Sequence, residues 1–177
     1  MRLNYPDPFV PFAGAFPTGS GKPAFVSDRM AQCGLDPVPD STSSHERSQR
    51  GAALAREFPL ALITPADHYL LIIFNNAKQR RRSGAATLLI RPDDAAPRCI
   101  TKGDEVRIGN VRGTFLAVAD VKRSRPPRVV ASSKGRWLGS SKEGKTIHAI
   151  VDDRDSDMGA GALYHDNRVR VDKVDGS

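Results

Sequence analysis

The stretch "DEVRIGNVRGTFLAVADV", residues 104–121, decides the fold of this 177-residue chain. Val106 and Ile108 alternate with charged residues before the turn "GNVRG" (109–113), and apolar residues recur at every second position from Phe115 onward. Alternation with a period of two is typical of a strand with one buried face, and a short glycine-containing turn is typical of a hairpin. The stretch therefore predicts an antiparallel hairpin whose inward face belongs to a core.

Other apolar runs of strand length lie on both sides of this hairpin, and turn residues bound each of them. They are "PLALIT" (59–64), "TLLIRP" (87–92), "RVVAS" (128–132) and "RVRVD" (168–172). Between them, Asp93 or Asp94 is expected to cap one helical turn, and "KGD" (102–104) is expected to turn tightly into the hairpin. Several short strands with few helices predict a mainly β fold, either a barrel or another compact β domain.

The first part of the chain has a different composition. It contains a Pro/Gly/aromatic lead-in, a short helical patch at 27–33 that Gly34 can end, and the polar run "DSTSSHERSQR" (40–50). This composition predicts a lead-in and linker at residues 1–57, followed by a β domain at residues 58–174. The run "TGSGK" (18–22) is not a P-loop, because Pro23 follows its lysine where a P-loop requires serine or threonine.

Composition limits the classes of partner and compartment. Lys and Arg number 27 against 20 Asp and Glu, a net charge of +7 that favours an anionic partner. Cys33 and Cys99 form no CxxC pattern, so a disulfide framework and a cysteine metal site are both unsupported, and a reducing cytoplasm fits best. The most apolar segment, 58–74, is too short and too polar for a membrane span, and no signal peptide is recognisable. We expect a soluble, cytoplasmic chain without membrane insertion.

Four stretches in the same order resemble one known family. They are "PLALITPADHYLL" (59–71), "TLLIRPDDAAPRCITKGDEVRIGNVRGTFLAVADV" (87–121), "VVASSKGRW" (129–137) and "DRDSDMGAGALYHDNRVRV" (153–171). Together they resemble the C-terminal dinucleotide-binding domain of molybdopterin oxidoreductases, in the dimethyl sulfoxide reductase and formate dehydrogenase superfamily. Residues 5–40 resemble the segment upstream of that domain, with Gly19 where proline is usual, which makes "TGSGK" a turn of a connecting segment.

The resemblance implies a fold and a task. The fold is a six-stranded double-psi β-barrel with short helices, preceded by an extended Pro/Gly-rich lead-in. The task is to bind the guanine dinucleotide and pterin parts of a bis-molybdopterin guanine dinucleotide cofactor, containing Mo or W, that is shared with other domains. The metal would be ligated elsewhere, so neither catalytic residues nor metal ligands are expected in this chain.

The resemblance also implies which residues lie near the cofactor. They are Thr64, Pro65, Asp67 and His68 after the first strand, Lys134, Gly135 and Trp137 in a later loop, and His148, Asp157 and His165 towards the end. Polar side chains at strand ends often form ligand sites, glycine permits close backbone approach, and an indole can pack on a planar ring. Asp67 could instead cap a turn, and Trp137 could instead plug the barrel end. The acidic run 152–157 lacks the glycine and final glutamate of a calcium loop.

Some features depart from the family pattern and leave a second reading open. Ile72-Ile73 replaces a polar pair, His148 replaces a usual asparagine, and the upstream domains are absent from the sequence. The chain is therefore not expected to catalyse alone, and its expected partner is the remaining domains or a subunit of a molybdopterin oxidoreductase. The alternative is a free-standing basic β-barrel that binds nucleic acid or an acidic protein through 78–82 and Lys122 to Arg128. Nucleic acid is the weaker partner, because base-stacking aromatic residues do not interleave with these cations.

Overall fold

The chain divides into two structural units, Met1–Thr42 and Ser43–Ser177. The computed structural model describes residues 8–38, 49–67, 70, 85–156, 159 and 161–174. In the first unit, α1 spans Asp28–Gln32, the hydroxyl of Ser27 accepts a hydrogen bond from the N–H of Met30, and Gly34 adopts a φ of +74° just beyond the helix. The predicted helical patch is thus confirmed. "TGSGK" forms a turn, because the N–H of Gly21 donates to the carbonyl of Thr18 at 3.0 Å.

Six strands close into a barrel in the order β1-β5-β2-β4-β3-β6. Their bounds are β1 Leu60–Ile63, β2 Thr87–Ile90, β3 Glu105–Gly109, β4 Thr114–Val121, β5 Val129–Ala131 and β6 Asn167–Lys173. The β1–β5 and β2–β4 pairs are parallel, whereas β1–β6, β2–β5, β3–β4 and β3–β6 are antiparallel. The mainly β, double-psi barrel expected from the sequence is confirmed.

The predicted hairpin supplies β3 and β4. Val106 faces Ala117 and Ile108 faces Phe115 across the pair, and the N–H of Asn110 donates to the carbonyl of Gly113 at 3.0 Å to close the turn. The inward residues of this hairpin join those of the other strands in one core. Its fully buried large side chains are Phe115, Leu60, Leu62, Leu88, Ile90, Ile108, Ile150, Val106, Val130, Val169 and Val171. The alternation read from the sequence therefore corresponds to one buried and one half-buried face.

The expected cap of the helical turn after β2 is wrong. Helix α3 spans Pro92–Ala95 and its N-cap is Arg91, whose side chain forms no capping hydrogen bond. Proline fixes the first helical position, which places both aspartates inside the first turn. Asp93 instead binds the guanidinium of Arg91 at 2.7 Å, and the carboxylate of Asp94 accepts the N–H of Arg128 at 2.9 Å.

One helix lies in the segment read from the sequence as a linker. Helix α2 spans Gln49–Glu57, and the carbonyl of Leu54 accepts the N–H of Phe58 at 2.7 Å where the helix ends. Phe58 is buried, so the helix leads directly into the core. Short 3₁₀ helices occur at Ala96–Arg98, Leu138–Ser140 and Ile147–Ala149. Within the described ranges, no helix has the length and apolar character needed to cross a bilayer.

Candidate functional site

Two of the predicted site loops leave the barrel at the same end. β1 and β5 are parallel neighbours, with Ile63 opposite Ala131, so the segments that follow them emerge side by side. Backbone hydrogen bonds continue the pairing beyond the strands, from Ser132 N–H to Ile63 O at 3.2 Å and from Lys134 N–H to Pro65 O at 3.0 Å. The loop 64–67 and the loop 132–137 therefore form one continuous surface.

A third segment reaches this end because β6 is antiparallel to β1. The backbone N–H of Thr64 donates to Nδ1 of His165 at 3.1 Å, and the Thr64 hydroxyl donates to the carbonyl of Tyr164 at 3.0 Å. Thr64 is only 1% exposed, so its hydroxyl acts within the protein rather than towards solvent. The Nζ of Lys134 lies 4.7 Å from the centre of the Tyr164 ring, within cation–π range.

The hydrogen bond to His165 determines which nitrogen of its imidazole carries the proton. A nitrogen that accepts an N–H carries no proton, so the neutral ring holds its proton on Nε2. His165 is exposed, whereas Thr64 is buried behind it. His165 thus presents a hydrogen-bond donor to solvent at the end of the barrel.

Gly135 makes room for the chain's own backbone. Its φ is +97°, and a Cβ at this position would lie 3.1 Å from the carbonyl oxygen of Leu70 and 3.2 Å from its Cβ. The next residue, Arg136, is half-buried, and burial lowers the pKa of its guanidinium, while the charge of Asp67 acts in the opposite direction. The charges of Asp67 and Arg136 therefore interact.

Two adjacent cavities lie beside Arg136. One, of about 450 Å³, is lined by residues 135–139, Thr146 and His148. The other, of about 400 Å³, has an apolar floor that includes Phe115 and a rim that includes Lys142 and Lys145. Both cavities are bounded by Arg136, Gly139 and Thr146, so they adjoin along these residues.

Trp137 stands at the edge of the first cavity and does not plug the barrel. Its side chain is 45% exposed, and the neighbouring Leu138 is 60% exposed. His148 lies across this cavity on the 3₁₀ helix Ile147–Ala149. An indole and an imidazole beside one apolar groove can hold a planar ring by stacking, and the cations nearby can hold an anionic group.

The structure therefore brings most of the sequence-predicted site residues together in two linked groups. The first contains Thr64, Pro65, Asp67, Lys134, Gly135 and His165, and the second contains Trp137 and His148. His68, Asp157, the pair 72–73 and the basic run 78–82 lie outside the described residues. Sequence reasoning did not select Arg136 or Tyr164, although each directly adjoins a residue that it did select.

The other predicted basic cluster is partly neutralised. Lys122 pairs with Asp120 at 2.6 Å, and Arg123 lies 3.7 Å from Asp93. These pairs reduce the positive potential that an acidic partner would meet on this face. In the described part of the chain, no three His, Cys, Asp or Glu side chains converge in a way that could hold a metal ion.

Comparison with known proteins gives a consistent result. Residues 60–168 match the sequence profile of the molydopterin dinucleotide binding domain. The chain is 32% identical to the probable oxidoreductase YoaE of Bacillus subtilis, over 92% of this chain and 23% of that protein. It is 30% identical to dimethyl sulfoxide reductase DmsA of Escherichia coli, over 93% of this chain and 22% of that protein. The chain thus spans less than a quarter of the length of these relatives.

The fold has a counterpart among solved structures. Acetylene hydratase from Pelobacter acetylenicus superposes with a TM-score of 0.77 over 96% of this chain and 26% of that chain, at 17% sequence identity. At this identity the likeness concerns the fold alone.

Proposed function

Because this chain belongs to the molydopterin dinucleotide binding family, we propose that it holds the dinucleotide and pterin parts of a molybdopterin cofactor at the end of its barrel. One observation carries the proposal: two adjoining cavities, one edged by Trp137 and His148 and one rimmed by lysines, meet at Arg136. A dinucleotide has the same plan, since two ring systems flank a doubly anionic pyrophosphate.

The residues present fit such a ligand. Each cavity, at about 400 Å³ and about 450 Å³, lies within the range of small-molecule sites, roughly 300–1,000 Å³. Arg136 and Lys145 can neutralise a pyrophosphate, because charge-assisted hydrogen bonds to phosphate oxygens are among the strongest available to a protein. Lys142 lines the same cavity but contributes less, since its Nζ already binds the carboxylate of Glu105 at 2.8 Å. Lys134 and the Nε2–H of His165 add two donors on the neighbouring surface.

Each part of the chain then has a defined task. The cofactor supplies the metal centre and its redox chemistry, while Arg136 and the lysines bind its phosphates and Trp137 orients one of its rings. The predicted site residues Thr64, Pro65, Asp67 and Gly135 act by shaping the loops that carry these side chains. His68 and Asp157 belong to the proposed site by family resemblance.

We propose further that the ligand is a bis-molybdopterin guanine dinucleotide with Mo or W, and that residues 58–174 form the domain that holds it. The relatives are several times longer and include a dimethyl sulfoxide reductase. On this basis the chain acts as the cofactor-holding part of a molybdopterin oxidoreductase, with the remaining domains or subunit as its partner. It does not catalyse alone, and it works in the cytoplasm, where two exposed free cysteines stay reduced.

Purification from cells that make the molybdenum cofactor tests the proposal. We expect the protein to carry pterin, measured by fluorescence after release, together with guanine nucleotide. The same protein from cofactor-deficient cells is the blank. A folded protein that carries neither compound from cofactor-producing cells would overturn the proposal.

Two arginine variants test the proposed position of the ligand. Arg136→Ala removes the cation shared by the two cavities, so bound pterin and nucleotide should fall at least about tenfold, the effect of losing one charge-assisted contact. Arg123→Ala is the matched control, because its guanidinium is exposed and its ion pair with Asp93 is long, at 3.7 Å. Equal losses in both variants would contradict a site at Arg136.

A further inference from the structure

Asn167 is a buried polar residue whose side-chain amide both accepts and donates hydrogen bonds. It begins β6 and is 2% exposed. Its Oδ1 accepts hydrogen bonds from Nη2 of Arg112 at 3.1 Å and from the N–H of Asp152 at 3.2 Å. Its Nδ2 donates to the carbonyl of Tyr164 at 2.9 Å. One planar group therefore joins three separate segments of the chain.

The two residues that bind Oδ1 of Asn167, Arg112 and Asp152, are held by further polar contacts. Arg112, in the β3–β4 turn, also donates through Nε to the carbonyl of Ile150 at 3.0 Å and lies 3.5 Å from the carboxylate of Asp152. Asp152 is 6% exposed and also binds the guanidinium of Arg154. Gly113 packs closely here, since a Cβ at this position would meet the carbonyl oxygen of Ala149 at 2.7 Å. The Oδ1 side of Asn167 thus faces a rigid support.

The segment in front of Asn167 carries the candidate site. The Tyr164 carbonyl that accepts Nδ2 of Asn167 also accepts the hydroxyl of Thr64. The ring of Tyr164 lies beneath Lys134, and the adjacent His165 accepts the N–H of Thr64. Asn167 and Thr64 therefore hold the Tyr164 carbonyl together, and Thr64 also holds His165 through its backbone N–H.

We propose that Asn167 is the positioning residue that aligns Lys134 and His165 for the ligand, by fixing the Tyr164 carbonyl against the Arg112–Asp152 support. The consequence for ligand binding rests on the proposed function, whereas the alignment itself does not. An amide suits this position because it accepts and donates in one plane. A carboxylate accepts only, and it would also place a second negative charge beside Asp152.

Two chemically identical substitutions separate positioning from stability. Asn167→Asp keeps the Oδ1 acceptor and removes the donor to Tyr164. Asn110→Asp is the matched control, since Asn110 joins the same support, donating to Ile150 O at 2.8 Å and accepting from Arg112 N–H at 2.9 Å. Asn110 has no hydrogen bond to the site turn among those described, so its loss should affect stability without moving Lys134.

The primary measurement is the NMR shift of the Lys134 ε-methylene protons, which the Tyr164 ring current displaces. Tyr164→Leu, at a site that is 41% exposed, defines the shift without the ring. We expect Asn167→Asp to move the signal most of the way to the Tyr164→Leu value, and Asn110→Asp to leave it near wild type. If Asn167→Asp does not fold, Asn167→Ser, whose hydroxyl can serve only part of the network, gives the same comparison. An unmoved signal in the folded variant overturns the proposal.

Titration with GDP as the probe adds the functional arm. We expect Asn167→Asp to weaken GDP binding about tenfold, one lost hydrogen bond to a buried group, and Asn110→Asp to weaken it less than about twofold. Equal weakening in the two variants would contradict a positioning role for Asn167. Failure of the wild-type chain to bind GDP would count against the proposed function alone, because the Lys134 shift still tests the alignment.

Discussion

His165 accepts a hydrogen bond through Nδ1 from the backbone N–H of Thr64, at 3.1 Å, across 101 positions of sequence. The contact exists because β1 and β6 run antiparallel, with Leu62 opposite Asn167, so the end of one strand meets the start of the other. It leaves Nε2 of His165 as the donor that faces outward. Two residues that the sequence marked separately therefore act as one unit.

Thr64→Val should destabilise the barrel while leaving its shape intact. Valine matches threonine in size but cannot donate to the Tyr164 carbonyl, and losing a buried hydrogen bond costs about 1 kcal/mol. Thermal unfolding should occur several degrees lower. Thr101→Val, which removes an exposed hydroxyl bonded to Asp104, should change the midpoint less. Equal midpoints for Thr64→Val and wild type would show that the Thr64 hydroxyl does not hold Tyr164.

Gly135→Ala should be strongly destabilising. The methyl group would enter the space of Leu70, and the φ of +97° is unfavourable for any residue with a Cβ. We expect a loss of about 1–3 kcal/mol in the free energy of unfolding, measured by denaturant titration. Gly139→Ala is the control in the same region, because among the described residues no atom beyond its chain neighbours lies within 4 Å of the added methyl. If Gly139→Ala costs as much as Gly135→Ala, the close approach to Leu70 is not the cause.

Phe115→Ala should nearly unfold the barrel, since this side chain is 1% exposed and lies on the inward face of β4. Truncating a buried phenylalanine costs about 3–5 kcal/mol, a large share of the stability of a small domain. Val111→Ala, in the adjoining turn, removes a side chain that is 67% exposed and should cost less than about 0.5 kcal/mol. Urea titrations of both variants give the comparison, and similar midpoints would contradict the assignment of the inward face.

Stability should decline in acid, in part through Asp152. Hydrogen bonds from Arg154 lower the pKa of Asp152 to about 2, below its ordinary value of 3.8. A depressed pKa in the folded state stabilises the protein above pH 4, and this contribution, at most about 2 kcal/mol, is lost as the pH falls from about 4 to about 2.

Asp152→Asn tests this contribution. The variant should be less stable at pH 7 and should lose less stability than wild type between pH 4 and pH 2, as followed by thermal midpoints. Asp153→Asn, which changes an exposed neighbour, should leave the acid decline as in wild type. An unchanged decline in Asp152→Asn would assign the acid sensitivity to other carboxylates. Asp104 is the next candidate, because its pKa is also lowered to about 2.

Local patterning was enough to predict the strands but not every cap. Alternation in 104–121 predicted the inward residues of β3 and β4 correctly, because one buried face requires that pattern. The cap of α3 was wrong because Pro92 begins the helix and places Asp94 inside it, where its carboxylate binds the backbone of Arg128, 34 positions away. Asn167 was missed as a support, although it continues the inward row of Val169 and Val171 and so stands as a polar residue on a buried face.

The sequence by itself determined the mainly β class, the extent of most strands and, through resemblance, the family and the loops of the candidate site. These follow from local periodicity, turn residues and short motifs, which do not depend on how distant segments meet. Only the tertiary structure decided that Thr64 donates hydrogen bonds to His165 and Tyr164, and that Arg136 lies between two cavities. It also decided that Asn167 links the Tyr164 carbonyl to Arg112 and Asp152. Those relationships come from strand order and register, because closing the barrel brings together residues that are about a hundred positions apart in the chain.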